Sequence, residues 1–390
     1  MSQSRRPQQR SPAKPPTFVD SAEGLAALVK MLSSQPTVAV DTESNSLYVY
    51  RERVCLLQFS VPGEDYLVDP LAKIDLAPLG SIFADATQLK IFHAAEYDVM
   101  CLKRDFGFSF ANLFDTMWAA RILGWSRVGL ANILSETFDV KTSKRFQRYN
   151  WGKRPLDSNA LAYARLDTHY LIPLRKLQAE ALAERRRSEE AQEVFASIAA
   201  TGPANNTFDP DGFWRIKGTH DLSRREQAVL RELYLWRDQE AARRDFPPFK
   251  ILGDSVLSTL ARKRPASEDD LTRSGGLSPR NASRYGRFVL RAIRRGERTQ
   301  TPRPPSTPRP PEEVVDRFQA LRKWRKKVAA ERGVDVDVVL GNAVLWSLAK
   351  ENPKSSEELR RTDRLGNWKR EAYGEAILET LRSFDNRRSR

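Results

Sequence analysis

The sequence predicts an α/β domain with a mixed sheet flanked by helices, followed by two small all-α helical domains. Three observations predict this fold class. Strand and helix signals combine over residues 17–200, a helical pattern recurs at a fixed offset over residues 222–385, and proline-bearing segments without regular periodicity separate these parts.

The strand signals come first. Thr37–Val40 and Val54–Val61 are rich in β-branched and apolar residues, and Asp65–Val68 and Leu89–Phe92 add two short runs of similar character. Strands that precede interleaved helices indicate a sheet of mixed strand direction.

Helical periodicity follows the last strand signal. The predicted helices are Ala95–Arg104, Asp115–Leu123, Leu130–Phe138 and Asn159–Arg187. We therefore expect some of the acidic residues of this region to close a strand and others to project from helices toward it.

An ungapped repeat with an offset of 88 residues occupies the C-terminal half. Trp236 matches Trp324, and Gly253 matches Gly341. The same offset relates Leu260–Ala261 to Leu348–Ala349, Pro265 to Pro353, Leu271 to Leu359, Leu277 to Leu365, Tyr285–Gly286 to Tyr373–Gly374 and Leu290 to Leu378. We expect two copies of one small helical domain, in which the shared Trp, Leu and Tyr residues form the core.

These patterns give the expected domain organisation. The segments are a disordered basic tail at 1–16, an α/β domain at 17–200, a linker at 201–221, a first helical domain at 222–298, a Pro-rich linker at 299–311 and a second helical domain at 312–385.

Composition bounds the class of protein. The chain has 390 residues, of which 40% are hydrophobic and 29% charged, as in soluble proteins of several domains. No apolar run approaches the ~18 residues of a membrane span, and the N-terminal segment lacks the apolar core of a secretory signal. Cys55 and Cys101 lie in apolar patterns, as buried thiols of a reducing compartment do. We expect a cytoplasmic protein without a membrane partner, and a monomer suffices.

The net charge of +15 is unevenly distributed. Residues 17–180 have a net charge of −1, whereas residues 181–390 have a net charge of +12. A strongly basic region attracts polyanions. The alternative is a solvated surface that only keeps the protein soluble; the charge favours nucleic acid.

An acidic pair ends the first predicted strand. Asp41 and Glu43 are two residues apart, so a strand directs both side chains to the same face. Such acidic pairs also occur by chance. This pair is distinguished by its place directly after the predicted strand Thr37–Val40. Adjacent carboxylates repel each other, and a cation between them relieves that repulsion.

Three further residues stand in apolar helical contexts. Asp98 ends the sequence HAAEYD, and Tyr163 and Asp167 are four residues apart in LAYARLD, on one face of a helix. An aspartate at this spacing is often only a surface ion-pair partner. The mostly apolar stretch Leu161–Leu171 disfavours a wholly exposed face.

Four carboxylates without a nearby Cys or His cluster form an oxygen-only set of ligands, which suits Mg²⁺ or Mn²⁺ better than zinc. Two such ions ~3.5–4 Å apart can activate an attacking water and stabilise the leaving oxygen of a phosphodiester. A tyrosine with a pKa near ~10 is a poor base at neutral pH, but its hydroxyl can orient that water. The pattern indicates a nuclease.

A basic segment lies between Asp98 and Tyr163. Lys141–Arg154 contains six basic and no acidic side chains, with three aromatic residues among them. Cations that neutralise phosphates and aromatics that stack on bases are typical of single-strand binding. The candidate contacts are Lys144, Arg145, Arg148, Trp151 and Arg154. The alternative is an ordinary basic loop whose tryptophan anchors it to the core.

These motifs resemble those of the ribonuclease D family, within the DEDDy group of 3′-to-5′ exonucleases. DTE at 41–43, HAAEYD at 93–98 and YARLD at 163–167 are similar to its three exonuclease motifs, and WGKRPL at 151–156 with DTHYLIPL at 167–174 is also similar. The 88-residue repeat resembles a tandem pair of helicase-and-ribonuclease-D C-terminal (HRDC) domains, helical modules associated with nucleic-acid binding.

The resemblance implies a ribonuclease H-like fold for the α/β domain. It implies that Asp41, Glu43, Asp98 and Asp167 hold two Mg²⁺ or Mn²⁺ ions and that Tyr163 positions the nucleophilic water. The implied activity releases 3′ nucleotides of RNA as 5′-monophosphates, with tRNA precursors that have 3′ extensions as the characteristic substrate.

One position departs from the family pattern. Ser44 follows the DTE motif where an aromatic or other large residue is frequent. A smaller side chain there affects how the terminal base or sugar packs, and so concerns substrate choice but not the metal chemistry.

Two alternatives stay open. The same carboxylates can serve a 3′–5′ DNA exonuclease, although no polymerase-sized region accompanies them. The chain can also be an RNA-binding protein without catalysis, although all four acidic residues and the tyrosine are present.

Overall fold

The structure is a computed structural model that describes residues 14–142, 144–300, 302–304, 309–362 and 365–388, with the backbone alone for residues 144 and 385–388. It forms two compact units. The first contains the described residues up to Glu43, Val54–Ala204 and the described residues from Arg309 onward. The second combines Ser44–Arg53 with the described residues of 205–308. The predicted tail at 1–16 and linker at 299–311 lie partly outside the described residues.

A six-stranded mixed sheet forms the centre of the first unit. Its strands are β1 (Thr17–Val19), β2 (Thr37–Ser44), β3 (Val54–Val61), β4 (Glu64–Val68), β5 (Leu89–Phe92) and β6 (Leu113–Asp115). Their order across the sheet is β1-β4-β3-β2-β5-β6. β3 and β4 are antiparallel, whereas β5 is parallel to both β2 and β6. The predicted α/β fold with a mixed sheet is therefore confirmed.

Helices cover this sheet. They are α1 (Ala22–Ser33), α2 (Leu79–Ala84), α3 (Glu96–Phe106), α4 (Thr116–Ile122), α5 (Leu130–Phe138), α6 (Ser158–Ala164), α7 (Leu166–His169), α8 (Leu171–Glu184) and α9 (Ser188–Ala200). The single helix predicted over Asn159–Arg187 is wrong: the structure divides this segment into α6, α7 and α8. The contacts of Arg165 and His169 with Asp65, described below, fall at these interruptions.

The two repeat copies share one helical arrangement within the described residues. The first copy contains α10 (Arg224–Arg244), α11 (Pro248–Ile251), α12 (Asp254–Lys263), α13 (Glu268–Arg273) and α14 (Pro279–Arg298). The second contains α15 (Glu312–Arg332), α16 (Val336–Val339), α17 (Asn342–Glu351), α18 (Ser356–Leu359) and α19 (Asn367–Arg388). Each helix of the second copy begins 88 residues after its counterpart, so the duplication extends to the helix starts.

Equivalent aromatic pairs hold the first and last long helices of each copy together. The rings of Trp236 and Tyr285 meet edge to face with centroids 5.8 Å apart, and those of Trp324 and Tyr373 do the same at 5.8 Å. Both tyrosines are buried. The prediction that these shared aromatics belong to the cores is therefore confirmed.

The second copy belongs to the same compact unit as the sheet. The Arg332 guanidinium forms a bidentate pair with the fully buried Glu190 of α9, at 2.5 and 3.0 Å. Arg121 of α4 pairs with Asp337 at 2.5 Å, and the Trp368 backbone N–H donates to Glu193 at 2.6 Å.

Ser44–Arg53, the segment that joins β2 to β3, belongs to the second unit. The Tyr50 hydroxyl donates to Asp238 of α10 at 2.8 Å, and the Tyr50 backbone N–H donates to Asp245 at 3.1 Å. The Lys250 ammonium lies 4.2 Å from the centre of the Tyr48 ring. None of the helices in the described part of the chain combines the length and apolarity needed to cross a bilayer.

Candidate active site

The parallel pairing of β2 with β5 brings the first two predicted motifs to one edge of the sheet. Asp41 and Glu43 lie near the C-terminal end of β2, and both side chains are half-buried. β5 runs parallel to β2 and leads into α3, whose first turn contains the buried Asp98. The Thr42 hydroxyl, between the two β2 carboxylates, donates a hydrogen bond to Asp98. This edge corresponds to the carboxyl ends of the parallel strands, where α/β folds bind ligands.

The third motif reaches the same place from the helices that pack on β3. Tyr163 lies on α6 and Asp167 on α7, and both side chains are half-buried. The Tyr163 ring lies against two aromatic rings, with centroids 5.6 Å from Phe146 and 6.5 Å from Trp151. Packing on both rings fixes the direction of the Tyr163 hydroxyl.

The acidic side chains are close enough for their charges to raise one another's pKa values. Burial raises the pKa of Asp41 well above its usual value, and the charges of Asp98, Asp167 and Glu43 raise it further. The pKa of Glu43 is raised in the same way, by burial and then by Asp167 and Asp98. The structure therefore brings the four carboxylates predicted from the three motifs into one cluster.

The two helix-borne carboxylates are shifted toward neutrality. Burial is the main cause that raises the pKa of Asp98 to about 7, against a lowering by the Thr42 hydrogen bond. Burial and then the Asp98 charge raise the pKa of Asp167 to about 7. Burial and the charges of Asp167, Glu43 and Asp41 raise the pKa of Tyr163, so its hydroxyl stays protonated at neutral pH.

The donor set of this cluster fits a hard divalent cation. In the described part of the chain, no basic side chain forms an ion pair with Asp41, Glu43, Asp98 or Asp167. Uncompensated carboxylates that raise one another's pKa gain stability from a cation bound between them. Among the described residues, no three acidic, imidazole or thiol groups already stand in a metal-coordinating arrangement.

Asp115, which the sequence patterns did not single out, fixes the start of α3. This fully buried carboxylate accepts the backbone N–H groups of Ala94 and Ala95 at 3.2 and 2.7 Å. It also caps α4 by accepting from Met117 and Trp118. An aspartate before an apolar helical run is an N-cap signal and could have been found, but its bonds to residues twenty positions earlier could not.

Asp65, also missed, holds the helical segment around Asp167. Its buried carboxylate pairs with Arg165, lies 2.9 Å from the His169 Nδ1 and accepts the Ser60 hydroxyl at 2.6 Å. Burial favours a higher pKa for Asp65, but the hydrogen bonds from His169, Ser60 and Arg165 outweigh it and lower the pKa. Arg165 and His169 lie two residues before and after Asp167, so this network clamps α7 onto the sheet.

The basic segment divides into exposed and anchoring residues. Arg145 and Arg148 are exposed on a 3₁₀ helix, Lys144–Arg148. The side chain of Lys144 lies outside the described residues. The exposed pair agrees with a surface that meets a polyanion, and this assignment stays a prediction.

Trp151 is buried and Arg154 is half-buried. Trp151 is 2% exposed and packs with Cys55, Leu67 and Phe146, so its ring cannot stack on a base without leaving this core. The Arg154 guanidinium pairs with Asp69 at 2.5 Å and donates to the Cys55 carbonyl at 2.7 Å. Both side chains thus hold the loop to the sheet, as the alternative interpretation of this segment expected.

Two family models match the chain. A model described as 3′-5′ exonuclease matches residues 16–181. A model described as HRDC domain matches residues 226–293 and 315–381. The first match contains all three motifs that form the acidic cluster, and the second coincides with the two repeat copies.

Relatives of known sequence or structure cover most of the chain. It is 31% identical to ribonuclease D of Acidiphilium cryptum over 94% of each chain. The catalytic core of RRP6 from Trypanosoma brucei superposes with a TM-score of 0.66 at 28% identity, over 75% of this chain and 82% of that one. Escherichia coli RNase D superposes with a TM-score of 0.70 over 95% of this chain and 99% of that one, and at 23% identity this likeness concerns the fold.

Proposed function

The chain belongs to the ribonuclease D family and is a 3′–5′ exoribonuclease, and from this premise we propose that it trims the 3′ ends of tRNA precursors by a two-metal-ion mechanism. The released products are nucleoside 5′-monophosphates. The observation that supports the proposal most directly is the cluster of four carboxylates whose charges raise one another's pKa at the edge of the sheet.

We assign Asp41, Glu43, Asp98 and Asp167 as the ligands of two Mg²⁺ or Mn²⁺ ions. The family depends on divalent metal ions, and two of them supply charge stabilisation and activation of water at a phosphodiester. The protein holds these ligands in place. The Thr42 hydroxyl donates to Asp98, and the Asp65 network holds α7, which bears Asp167. Fixed ligands keep the attacked phosphate in one place.

Tyr163 orients the attacking water and does not remove its proton. Its raised pKa keeps the phenol protonated at the pH of the reaction, so the hydroxyl acts as a hydrogen-bonding group. Phe146 and Trp151 hold the ring in place. Loss of the hydroxyl therefore costs part of the rate, whereas loss of a metal ligand costs nearly all of it.

RNA as the substrate class follows from the family, and the basic C-terminal half supports it with a net charge of +12 over residues 181–390. The tRNA precursor is the substrate that the family resemblance implies. A monomer suffices, because the five site residues all lie in the first compact unit.

The test is a time course on a 5′-labelled tRNA precursor with a 3′ extension, with Mg²⁺, with Mn²⁺ and with EDTA. Stepwise shortening that stops near the mature 3′ end and disappears in EDTA is the expected result. A DNA strand of matched sequence and the Asp41→Asn variant serve as controls. Equal shortening of the DNA would favour a DNA exonuclease, and tight RNA binding without turnover at any metal concentration would favour a non-catalytic RNA-binding protein.

A further inference from the structure

The last helix of the first repeat copy bears a row of arginines on one face. These residues, here called the arginine stripe, are Arg280, Arg284, Arg287, Arg291, Arg294 and Arg298, and all six are exposed. Their intervals of four, three, four, three and four keep the side chains on one side of α14. At a rise of ~1.5 Å per residue, the stripe is about 27 Å long.

The stripe has no counter-charge in the described part of the protein. None of its six arginines forms an ion pair there, whereas Arg295, just off the stripe, pairs with Glu232. Arg287 lies over the ring of the half-buried Phe288, 4.5 Å from its centre. Like charges three and four positions apart destabilise a helix. A helix that keeps six of them unpaired is suited to an external polyanion.

The second copy provides an internal comparison, because its last helix α19 lacks the stripe. The equivalent positions, 88 residues later, are Trp368, Ala372, Glu375, Glu379, Arg382 and Asn386. The first copy, residues 222–298, has a net charge of +8, whereas residues 312–385 have a net charge of +1. At the start of α19 the backbone of Trp368 instead bonds to Glu193 of α9. The copies thus share a fold but differ in the charged residues of their last helix.

The chemistry of the stripe favours a paired RNA strand over an unpaired one. Surfaces for single strands interleave cations with aromatic rings that stack on bases, and the stripe offers only the half-buried Phe288. Double-stranded RNA is recognised by contacts to its phosphates and 2′-hydroxyls, independent of base stacking. The guanidinium is a bidentate partner for phosphate.

We propose that the arginine stripe of α14 binds the sugar–phosphate backbone of a double-stranded RNA stem and that this contact belongs to the first repeat copy alone. The inference rests on the proposed function only in taking RNA as the ligand. It assigns a recognition element for paired RNA that is separate from the residues that cut the 3′ end.

The test exchanges residues between the copies. In the triple variant R284A/R287E/R291E, the first copy acquires the residues that the second copy has at these positions. The control, R322A/K323E/K326E, makes the same charge change on exposed positions of α15 in the second copy. Binding is measured in EDTA, so that no RNA is cut. The probes are an RNA hairpin with a short 3′ overhang and an unstructured RNA of the same length, each at several salt concentrations.

The stripe variant is expected to bind the hairpin at least ~10-fold more weakly. The slope of log affinity against log salt concentration should become shallower by the amount expected for the loss of about two to three phosphate contacts. Its affinity for the unstructured RNA should change less than twofold, and the control should keep most of its hairpin affinity. The neutral variant R284Q/R287Q/R291Q should show a smaller loss in the same direction, which separates loss of contact from introduced repulsion.

Three results would overturn the proposal: unchanged hairpin affinity, an equal loss for both RNAs, or an equal loss in the control. Circular dichroism of each variant verifies that the helices are intact. Metal-dependent shortening of the unstructured RNA needs no stem and should persist in the stripe variant. Failure of that reaction in the wild type would instead contradict the proposed function.

Discussion

At the scale of single residues, neighbouring groups position the acidic cluster, and among the described residues no ion pair neutralises it. Thr42 donates to Asp98, Asp115 holds the turn before α3, and burial shifts the pKa of Asp98 and Asp167 to about 7. Such shifts are typical of sites that bind a cation or move a proton. The same environment therefore makes the cluster unfavourable when ionised and receptive to metal.

The metal ligands and the tyrosine should differ in how much they contribute to the rate. We expect Asp167→Asn to lower kcat by about 10³-fold or more, because the loss of a ligand removes several kcal/mol of charge stabilisation. Tyr163→Phe should lower kcat by about tenfold, as the loss of one hydrogen bond does. Single-turnover release of mononucleotide from a short unstructured RNA measures both. Equal losses in the two variants would contradict the division of roles.

Activity should depend on pH through competition between protons and metal. Asp98 and Asp167 have pKa values of about 7 in the metal-free protein, so below pH 7 each is largely protonated and must lose that proton to bind a cation. The Mg²⁺ concentration that gives half the maximal rate should therefore rise as pH falls from 8 to 6. For each proton that the metal must displace, this concentration should rise by up to ~10-fold per pH unit. A half-saturating concentration that is constant over this range would contradict the raised pKa values.

At the scale of elements, two of the site residues lie on a helical segment that the structure divides into α6, α7 and α8. The periodicity of Asn159–Arg187 suggested one helix, because α6, α7 and α8 continue the same apolar pattern. At the breaks, Arg165 and His169 contact Asp65, about a hundred residues earlier in the chain, and no local pattern contains that information. β1 and β6 were missed for a related reason: three residues are too few to show a period of two.

Motif spacing, in contrast, was sufficient to find the acidic cluster. Asp41 and Glu43 share a face because a strand alternates, and Tyr163 and Asp167 lie one turn apart even though the helix is interrupted between them. The repeat was equally visible, because an offset of 88 residues relates core positions that burial constrains. The residues that position the cluster were not visible, since Asp65 and Asp115 act through distant backbone and side-chain partners.

The Asp65 network should contribute to both stability and rate. Asp65→Asn leaves the buried Arg165 without its counter-ion, and we expect a loss of about 3 kcal/mol in the free energy of unfolding. The rate should also fall, because α6 and α7 bear Tyr163 and Asp167. Asp69→Asn is the matched control: its partner Arg154 is 27% exposed in its side chain, so water solvates the remaining charge.

Urea unfolding and the exonuclease rate on unstructured RNA measure the two effects of Asp65→Asn. The Asp69→Asn control should lose only about 1 kcal/mol, within the range of a partly solvated hydrogen-bonded charge, and should keep its kcat. If both variants lost equal stability and neither lost rate, Asp65 would have no special part in holding α7.

At the scale of the whole molecule, the two repeat copies have acquired different contacts from the same starting fold. Arg244 and Arg332 occupy equivalent positions at the ends of α10 and α15. Arg244 pairs within its own helix, with Glu240, whereas Arg332 pairs with Glu190 of α9. The second copy is thereby part of the compact unit that contains the acidic cluster, and the first copy retains the unpaired arginine stripe.

This equivalence predicts unequal effects of the same substitution. Arg332→Ala should lower the free energy of unfolding by about 3 kcal/mol, because it removes the bidentate ion pair of the fully buried Glu190. Arg244→Ala should have a much smaller effect, since Glu240 keeps its bond from Arg243 at 2.7 Å. Thermal unfolding of both variants measures the difference. Equal shifts in Tm would mean that the Arg332 pair does not hold the second copy in its unit.

If Asp41, Glu43, Asp98 and Asp167 form one metal centre as proposed, the number of Mn²⁺ ions bound per chain should depend on them. Titration of free Mn²⁺ by electron paramagnetic resonance, with a nucleoside 5′-monophosphate present, should give two bound ions for the wild type at pH 8. Asp167→Asn should lose at least one of them. Two ions bound with unchanged affinity in that variant, or none in the wild type, would contradict the assignment of these carboxylates.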